Sequence, residues 1–209
     1  NVFSGNGDGS FSAAVSFQAT GSLSGINYLS LGLGDIDGDG TTDLMVHDTT
    51  SSGTAAVNVL LGNSGFAAEG SVGIKVGEGA SSISSGDFDG DGKVDLAIGH
   101  DTGFGADSVT IHLGNGNGSY KLGDSYLAGS AIERLRAEDI NGDGVLDIVT
   151  AASGSDKLFV LAGVGDGSFV SPISPDGTLR ANVTFAGGAW VTDATTADIN
   201  GDGNLDIIS

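Results

Sequence analysis

One acidic ten-residue pattern occurs four times in this chain, and that repetition constrains the fold more than any other feature. The copies are Asp35-Ile-Asp-Gly-Asp-Gly-Thr-Thr-Asp-Leu44, Asp87-Phe-Asp-Gly-Asp-Gly-Lys-Val-Asp-Leu96, Asp139-Ile-Asn-Gly-Asp-Gly-Val-Leu-Asp-Ile148 and Asp198-Ile-Asn-Gly-Asp-Gly-Asn-Leu-Asp-Ile207. They start at 35, 87, 139 and 198, so the spacings are 52, 52 and 59 residues. A second element recurs between them: Val57-Asn-Val-Leu-Leu-Gly-Asn-Ser-Gly-Phe66, Val109 to Tyr120 and Leu158 to Phe169, with a clipped copy at Asn1 to Phe11. Each copy is an apolar run, a Gly/Asn/Asp turn and an aromatic residue, the signature of a β-hairpin.

A unit therefore reads as four strands. One enters the acidic loop (Tyr28 to Gly34 before the first), and one leaves it (Asp43 to His47, Asp95 to Gly99). A third runs as at Val109 to Leu113, and a fourth follows the glycine turn, as at Tyr120 to Leu127. Ile132 to Glu138 is the nearest approach to a helical segment, but it aligns with strand positions of the other repeats. Four antiparallel strands per ~50 residues is the blade of a β-propeller, so the expected fold is all-β. The expected divisions are the end of an incomplete blade over 1–27, blades over 28–80, 81–131 and 132–188, and the start of another over 189–209. The two halves could close a four-bladed ring. Strands cut short at both ends favour instead a segment of a longer chain with about seven blades. Seven extra residues in the last interval fall within Ser171 to Trp190, expected to form a longer loop or hairpin.

In each acidic loop, positions 1, 3 and 5 are Asp or Asn, positions 4 and 6 are Gly, and position 9 is Asp. Alternate oxygens along a tight curve point to one centre, and the glycines permit the curve because they tolerate positive φ. The candidate ligands are Asp35, Asp37, Asp39, Thr41 and Asp43 in the first loop and Asp87, Asp89, Asp91, Lys93 and Asp95 in the second. The third has Asp139, Asn141, Asp143, Val145 and Asp147; the fourth has Asp198, Asn200, Asp202, Asn204 and Asp206. The residue at position 7 (Thr41, Lys93, Val145, Asn204) would contribute its backbone carbonyl. Six or seven oxygens suit Ca²⁺ better than Mg²⁺, and the lack of Cys and His in the set argues against zinc and copper. The reading is about four calcium ions, bound more weakly in the third and fourth loops, where Asn at position 3 removes one charge. An EF-hand would place Glu at position 12, where this chain has Val46, Ile98, Thr150 and Ser209. The apolar residue at position 2 (Ile36, Phe88, Ile140, Ile199) is expected to anchor each loop on the core.

The formal charge is −20, from 27 acidic and 7 basic residues. Such a surface excludes nucleic-acid binding and disfavours anionic membranes. Fourteen of those acids lie in the four loops, four in each of the first two and three in each of the last two. Clustering of this kind calls for a divalent counter-ion. There are no cysteines, and no apolar run approaches the ~18 residues of a membrane span. Asn1 to Phe11 lacks the basic start and apolar stretch of a signal peptide, so any export signal is expected outside this sequence.

His47-Asp48 and His100-Asp101 follow the second strand in two repeats and are read as polar strand ends rather than acid–base pairs, since neither has an evident nucleophile. His112 lies on an alternating strand, solvent-facing or packed. Asn117-Gly-Ser119 and Asn182-Val-Thr184 fit the N-glycosylation pattern. Trp190, Phe185 and Tyr126 are assigned to core packing in preference to stacking on a sugar or anchoring a partner.

Gly86-Asp-Phe-Asp-Gly-Asp-Gly-Lys-Val-Asp-Leu-Ala97 and Leu113-Gly-Asn-Gly-Asn-Gly-Ser-Tyr120 resemble the VCBS and FG-GAP repeats found in integrin α chains and many bacterial surface proteins. The literal Phe-Gly and Gly-Ala-Pro signatures of integrin repeats are absent, so the bacterial VCBS-like branch is the closer match. The resemblance implies a propeller, calcium between the first two strands of each blade, an extracellular, secreted or cell-surface setting, and adhesion or recognition of a protein or glycan. A spacer or fibre subunit of a surface assembly and the accessory propeller of a secreted enzyme are the alternatives; the repeats themselves are not expected to be enzymatic.

Overall fold

The computed structural model describes residues 3–14, 30–49, 55–62, 72–77, 79–101, 107–171, 184–186 and 188–209. The chain is all-β. The first sheet holds β1 (Leu31–Gly34), β2 (Asp43–Thr49), β3 (Ala55–Leu60) and β4 (Val72–Gly77), in that order. The second holds β5 (Ala80–Gly86), β6 (Asp95–His100), β7 (Ser108–Gly114) and β8 (Tyr120–Leu127). The third holds β9 (Ile132–Glu138), β10 (Asp147–Ala152), β11 (Lys157–Gly163), β12 (Phe169–Val170) and β13 (Thr184–Ala186). A last pair, β14 (Thr195–Ala197) and β15 (Asp206–Ile208), flanks the fourth acidic loop. All pairings are antiparallel between chain neighbours, apart from β13, which returns to β11. These meanders are propeller blades. Tyr28, expected in the first strand, lies outside the described residues.

Strand chemistry follows position in the sheet. β6 and β10 are buried at every residue, and their sequences, Asp-Leu-Ala-Ile-Gly-His and Asp-Ile-Val-Thr-Ala-Ala, lack the alternation of a half-wet strand. Side chains leave such a strand on both faces and join two different cores. Ala97, Val109 and Ile111 of the second sheet pack with Ile132, Ile148 and Phe159 of the third. Leu96 and Ile98, on the opposite face, pack with Met45, Val57, Val59 and Ile74 of the first. Val149, Ala151 and Leu158 meet Val191 and Ala194 beyond the third sheet. The cores therefore lie between successive sheets, as in a propeller.

Two polar seams hold neighbouring sheets in register. Along the first strands, Ser30 Oγ accepts from Ile83 N–H at 3.0 Å, while Ser82 and Ser84 Oγ accept from Leu135 and Ala137 N–H at 3.1 Å. In the third sheet a guanidinium takes over: Arg136 Nε donates to the Ala194 carbonyl and Nη2 lies 3.6 Å from Asp193. Nearer the loops, Gly118 N–H donates to the Ile36 carbonyl at 3.1 Å and Gly167 N–H to the Phe88 carbonyl at 3.0 Å. The glycine-rich turn of one sheet thus latches onto the acidic loop of the sheet before it.

The extra length expected within Ser171 to Trp190 falls largely outside the described residues. In the second sheet, β8 runs unbroken beside β7. In the third, β12 pairs with Ala162 and Gly163 and β13 with Lys157 to Phe159, and residues 172–183 between them lie outside the described residues.

Several side chains differ from expectation. His47 is fully buried within β2 and is no strand end, whereas His100 does end β6 but is buried there. His112 takes the packed alternative. Trp190 is 81% exposed and Phe185 47%, so neither is a core residue. Tyr126 does pack, edge-on to Phe169, and its hydroxyl accepts from Phe169 N–H at 3.0 Å. Ile36 and Phe88 are buried anchors, but Ile199 is 65% exposed.

Candidate metal centre

The four acidic loops share one hydrogen-bond pattern. The position-1 carboxylate (Asp35, Asp87, Asp139, Asp198) accepts three backbone N–H groups, from positions 4, 5 and 6, at 2.7–3.1 Å. To aim those amides inward, the loop needs the left-handed region at positions 4 and 6, which glycine reaches without strain. Gly38 and Gly40 show φ of 78° and 85°, and the equivalent glycines of the other loops lie between 75° and 89°. The position-3 side chain accepts from position 5, whether it is Asp37, Asp89, Asn141 or Asn200. The position-5 carboxylate accepts from the amides of Thr41, Lys93, Val145 and Asn204.

Position 9 does more than its place in the ligand series suggests. Asp43, Asp95 and Asp147 are at most 1% exposed. Oδ2 of each accepts from the position-2 amide (Ile36, Phe88, Ile140) at 2.8–3.0 Å. Oδ1 accepts from Gly62, Gly114 or Gly163 at 2.7–2.8 Å, where the third strand ends. One carboxylate thereby ties the start of the acidic loop to the third strand. A Cβ at these glycines would overlap the carbonyl oxygen of Thr42, Val94 or Leu146, so the position has room only for glycine. The signal for this partner was in the sequence, as the Gly that closes each third-strand run.

The loop carboxylates differ in their electrostatic setting. Loss of solvation, followed by the carboxylates of Asp39, Asp43 and Asp35, pushes the Asp37 pKa up. Burial pushes Asp95 and Asp147 up against the amides that hold them. In the second loop the Lys93 ammonium bonds the Asp91 carboxylate and pulls its pKa down. In the fourth, the amides of Gly203, Gly201 and Asp202 hold Asp198 down.

Carboxylate oxygens of Asp35, Asp37 and Asp39 lie within 4.8 Å of one another, and so do those of Asp87, Asp89 and Asp95. Each group is an oxygen-only donor set on an open loop, which fits a hard divalent cation of calcium's size. The second group uses Asp95 where the first uses Asp39, as expected if Lys93 occupies Asp91. In the third and fourth loops, Asn141 and Asn200 take the place of the position-3 carboxylate with the same backbone bond.

A family model described as FG-GAP-like repeat matches residues 87–150 and 139–209. Together these cover more than half of the chain, which therefore belongs to the FG-GAP-like repeat family. No curated protein matches it. Among the described residues, no helix is long and apolar enough to cross a membrane.

Proposed function

We propose that the chain is a calcium-stabilised recognition or adhesion module working outside the cell, with calcium bound for structure rather than catalysis. The observation that supports this most is the meeting of three carboxylates within 4.8 Å in each of the first two loops. Such groups repel until a cation lies between them. A cation that binds only the folded loop stabilises it by about 2.7 kcal/mol per site at a hundredfold excess over its dissociation constant. Four divalent ions would bring the formal charge from −20 to −12. The third and fourth loops, each with one carboxylate fewer, bind more weakly in this account.

FG-GAP repeats are typical of extracellular proteins, and in this reading the rigid blades present loops to a protein or glycan at the cell surface. The repeats act by binding and not by catalysis. Protein and glycan arrays probed with the calcium-loaded chain test this reading. Saturable capture of a surface protein or glycan supports it; no capture by correctly folded, calcium-loaded protein removes the recognition role.

A further inference from the structure

The first strands of the three sheets, with the residues ahead of β14, converge on a pocket of about 220 Å³. Ser30, Ser82, Arg134 and Asp193 all line it. Each lies five residues ahead of the first Asp of its acidic loop, so one equivalent station from every repeat faces the same space. The pocket is smaller than the roughly 300–1,000 Å³ that holds a drug-sized ligand, so it admits one compact group.

The stations do not share one chemistry. Ser30 and Ser82 are buried and serve the seam between sheets. Oγ of each accepts the amide one residue past the next station, from Ile83 at 3.0 Å and from Leu135 at 3.1 Å. A guanidinium has no acceptor, so Arg134 cannot do the same for Ala194. Asp193 does it instead, accepting from Ala194 N–H at 2.8 Å. The seam therefore does not use the Arg134 side chain. Among the described residues no hydrogen bond or ion pair engages that side chain, and Arg134 is exposed.

Charge decides what the pocket can take. Arg136, two residues on and on the same face of β9, also lines it. Its guanidinium is already tied to the Ala194 carbonyl and, at 3.6 Å, to Asp193. Arg134 is the unmatched charge: two guanidiniums and one carboxylate leave +1 in a chain of formal charge −20. A single negative charge restores neutrality, whereas a dianion would leave an excess beside Asp193. The planar guanidinium fork matches two coplanar oxygens. Leu31, 62% exposed, gives the pocket a hydrocarbon wall that a carbon chain can meet. We propose that this pocket binds a single carboxylate group, clamped by Arg134 with Arg136 beside it and its carbon chain against Leu31. The site is separate from the acidic loops and goes beyond the calcium account.

The test is titration of the folded chain with acetate and with a blocked glycine–aspartate–glycine peptide, followed by calorimetry and by the arginine side-chain NMR signals. Saturable binding of at least one probe is expected, with the Arg134 Nε–H signal moving. Acetate alone would mark a small organic acid as the ligand, and the peptide alone an acidic side chain of a partner. R134S installs the residue of the first two stations, so it keeps the fold, and should weaken binding at least about tenfold, the scale of a lost hydrogen bond to a charged group. R134Q, which keeps the length without the charge, should do likewise. K121A removes an exposed charge outside the pocket lining and should bind as the wild type does. No saturable binding of either probe, or sulfate bound as tightly as acetate, overturns the assignment. So does binding that survives R134S and R134Q, as acetate held on a loop cation would.

Discussion

Replacing Asp95 by Ala tests whether position 9 holds the blade together without any metal. Its carboxylate is fully buried and accepts from Phe88 N–H at 2.8 Å and Gly114 N–H at 2.7 Å. Ala leaves two buried donors without an acceptor, at about 1–3 kcal/mol each. Burial has already pushed the Asp95 pKa above 3.8, so removing the charge returns part of that cost. The net loss should lie near the lower end of the range, about 2–3 kcal/mol, a large share of the 5–15 kcal/mol typical of a domain. D87A is the control. Asp87 also accepts three amides, but in an exposed loop where water can replace it, so the loss should be about 1 kcal/mol, as for a lost cap. The assay is urea unfolding in chelator, where no cation contributes to either value. D95A within about 0.5 kcal/mol of wild type, or a larger loss for D87A, would refute the reasoning and leave position 9 as a metal ligand only.

Gly114→Ala places a Cβ against the Val94 carbonyl oxygen and should cost about 1–3 kcal/mol by overpacking, read by the same unfolding assay. Lys93→Thr, the residue at this position of the first loop, frees Asp91 from its ammonium. It should tighten calcium binding to the second loop slightly in calorimetry, since an exposed ion pair is weak. His112 holds its proton less tightly folded than unfolded, because burial and His100 lower its pKa from 6.5. Its contribution is full above pH 6.5 and is lost as the pH falls through that value towards the lowered one, because the unfolded chain takes up the proton first. Wild type should therefore lose more stability than H112L between about pH 7.5 and 5.5 in parallel denaturant titrations.

Much of this was legible in the sequence because repetition removes ambiguity. Ile132 to Glu138 reads weakly alone but aligns with strands in three other repeats, and it forms β9 over those residues. The acidic loops announce their backbone, since Gly at positions 4 and 6 has no other purpose in so polar a segment. What stayed hidden depends on contacts between repeats. Ser30, Ser82 and Ser84 look like ordinary strand serines, and their place in the seam requires the next sheet's amides. His47 reads as polar, yet it is fully buried within β2. Trp190 reads as a core residue; instead its backbone adopts φ of 62°, its amide bonds Asp156, and its ring stands in solvent. Lys93 pairs with Asp91 two residues away, a local contact that the ligand pattern, which used only its carbonyl, had no reason to contain.

Thermal unfolding of the chain in excess calcium, in chelator and in excess magnesium tests the central claim most directly. A structural role for the acidic loops predicts a large rise in melting temperature with calcium and a much smaller one with magnesium, which dehydrates reluctantly and demands near-octahedral geometry. Equal melting in calcium and chelator would contradict it, and the loops would then be metal-free turns held by their own amides.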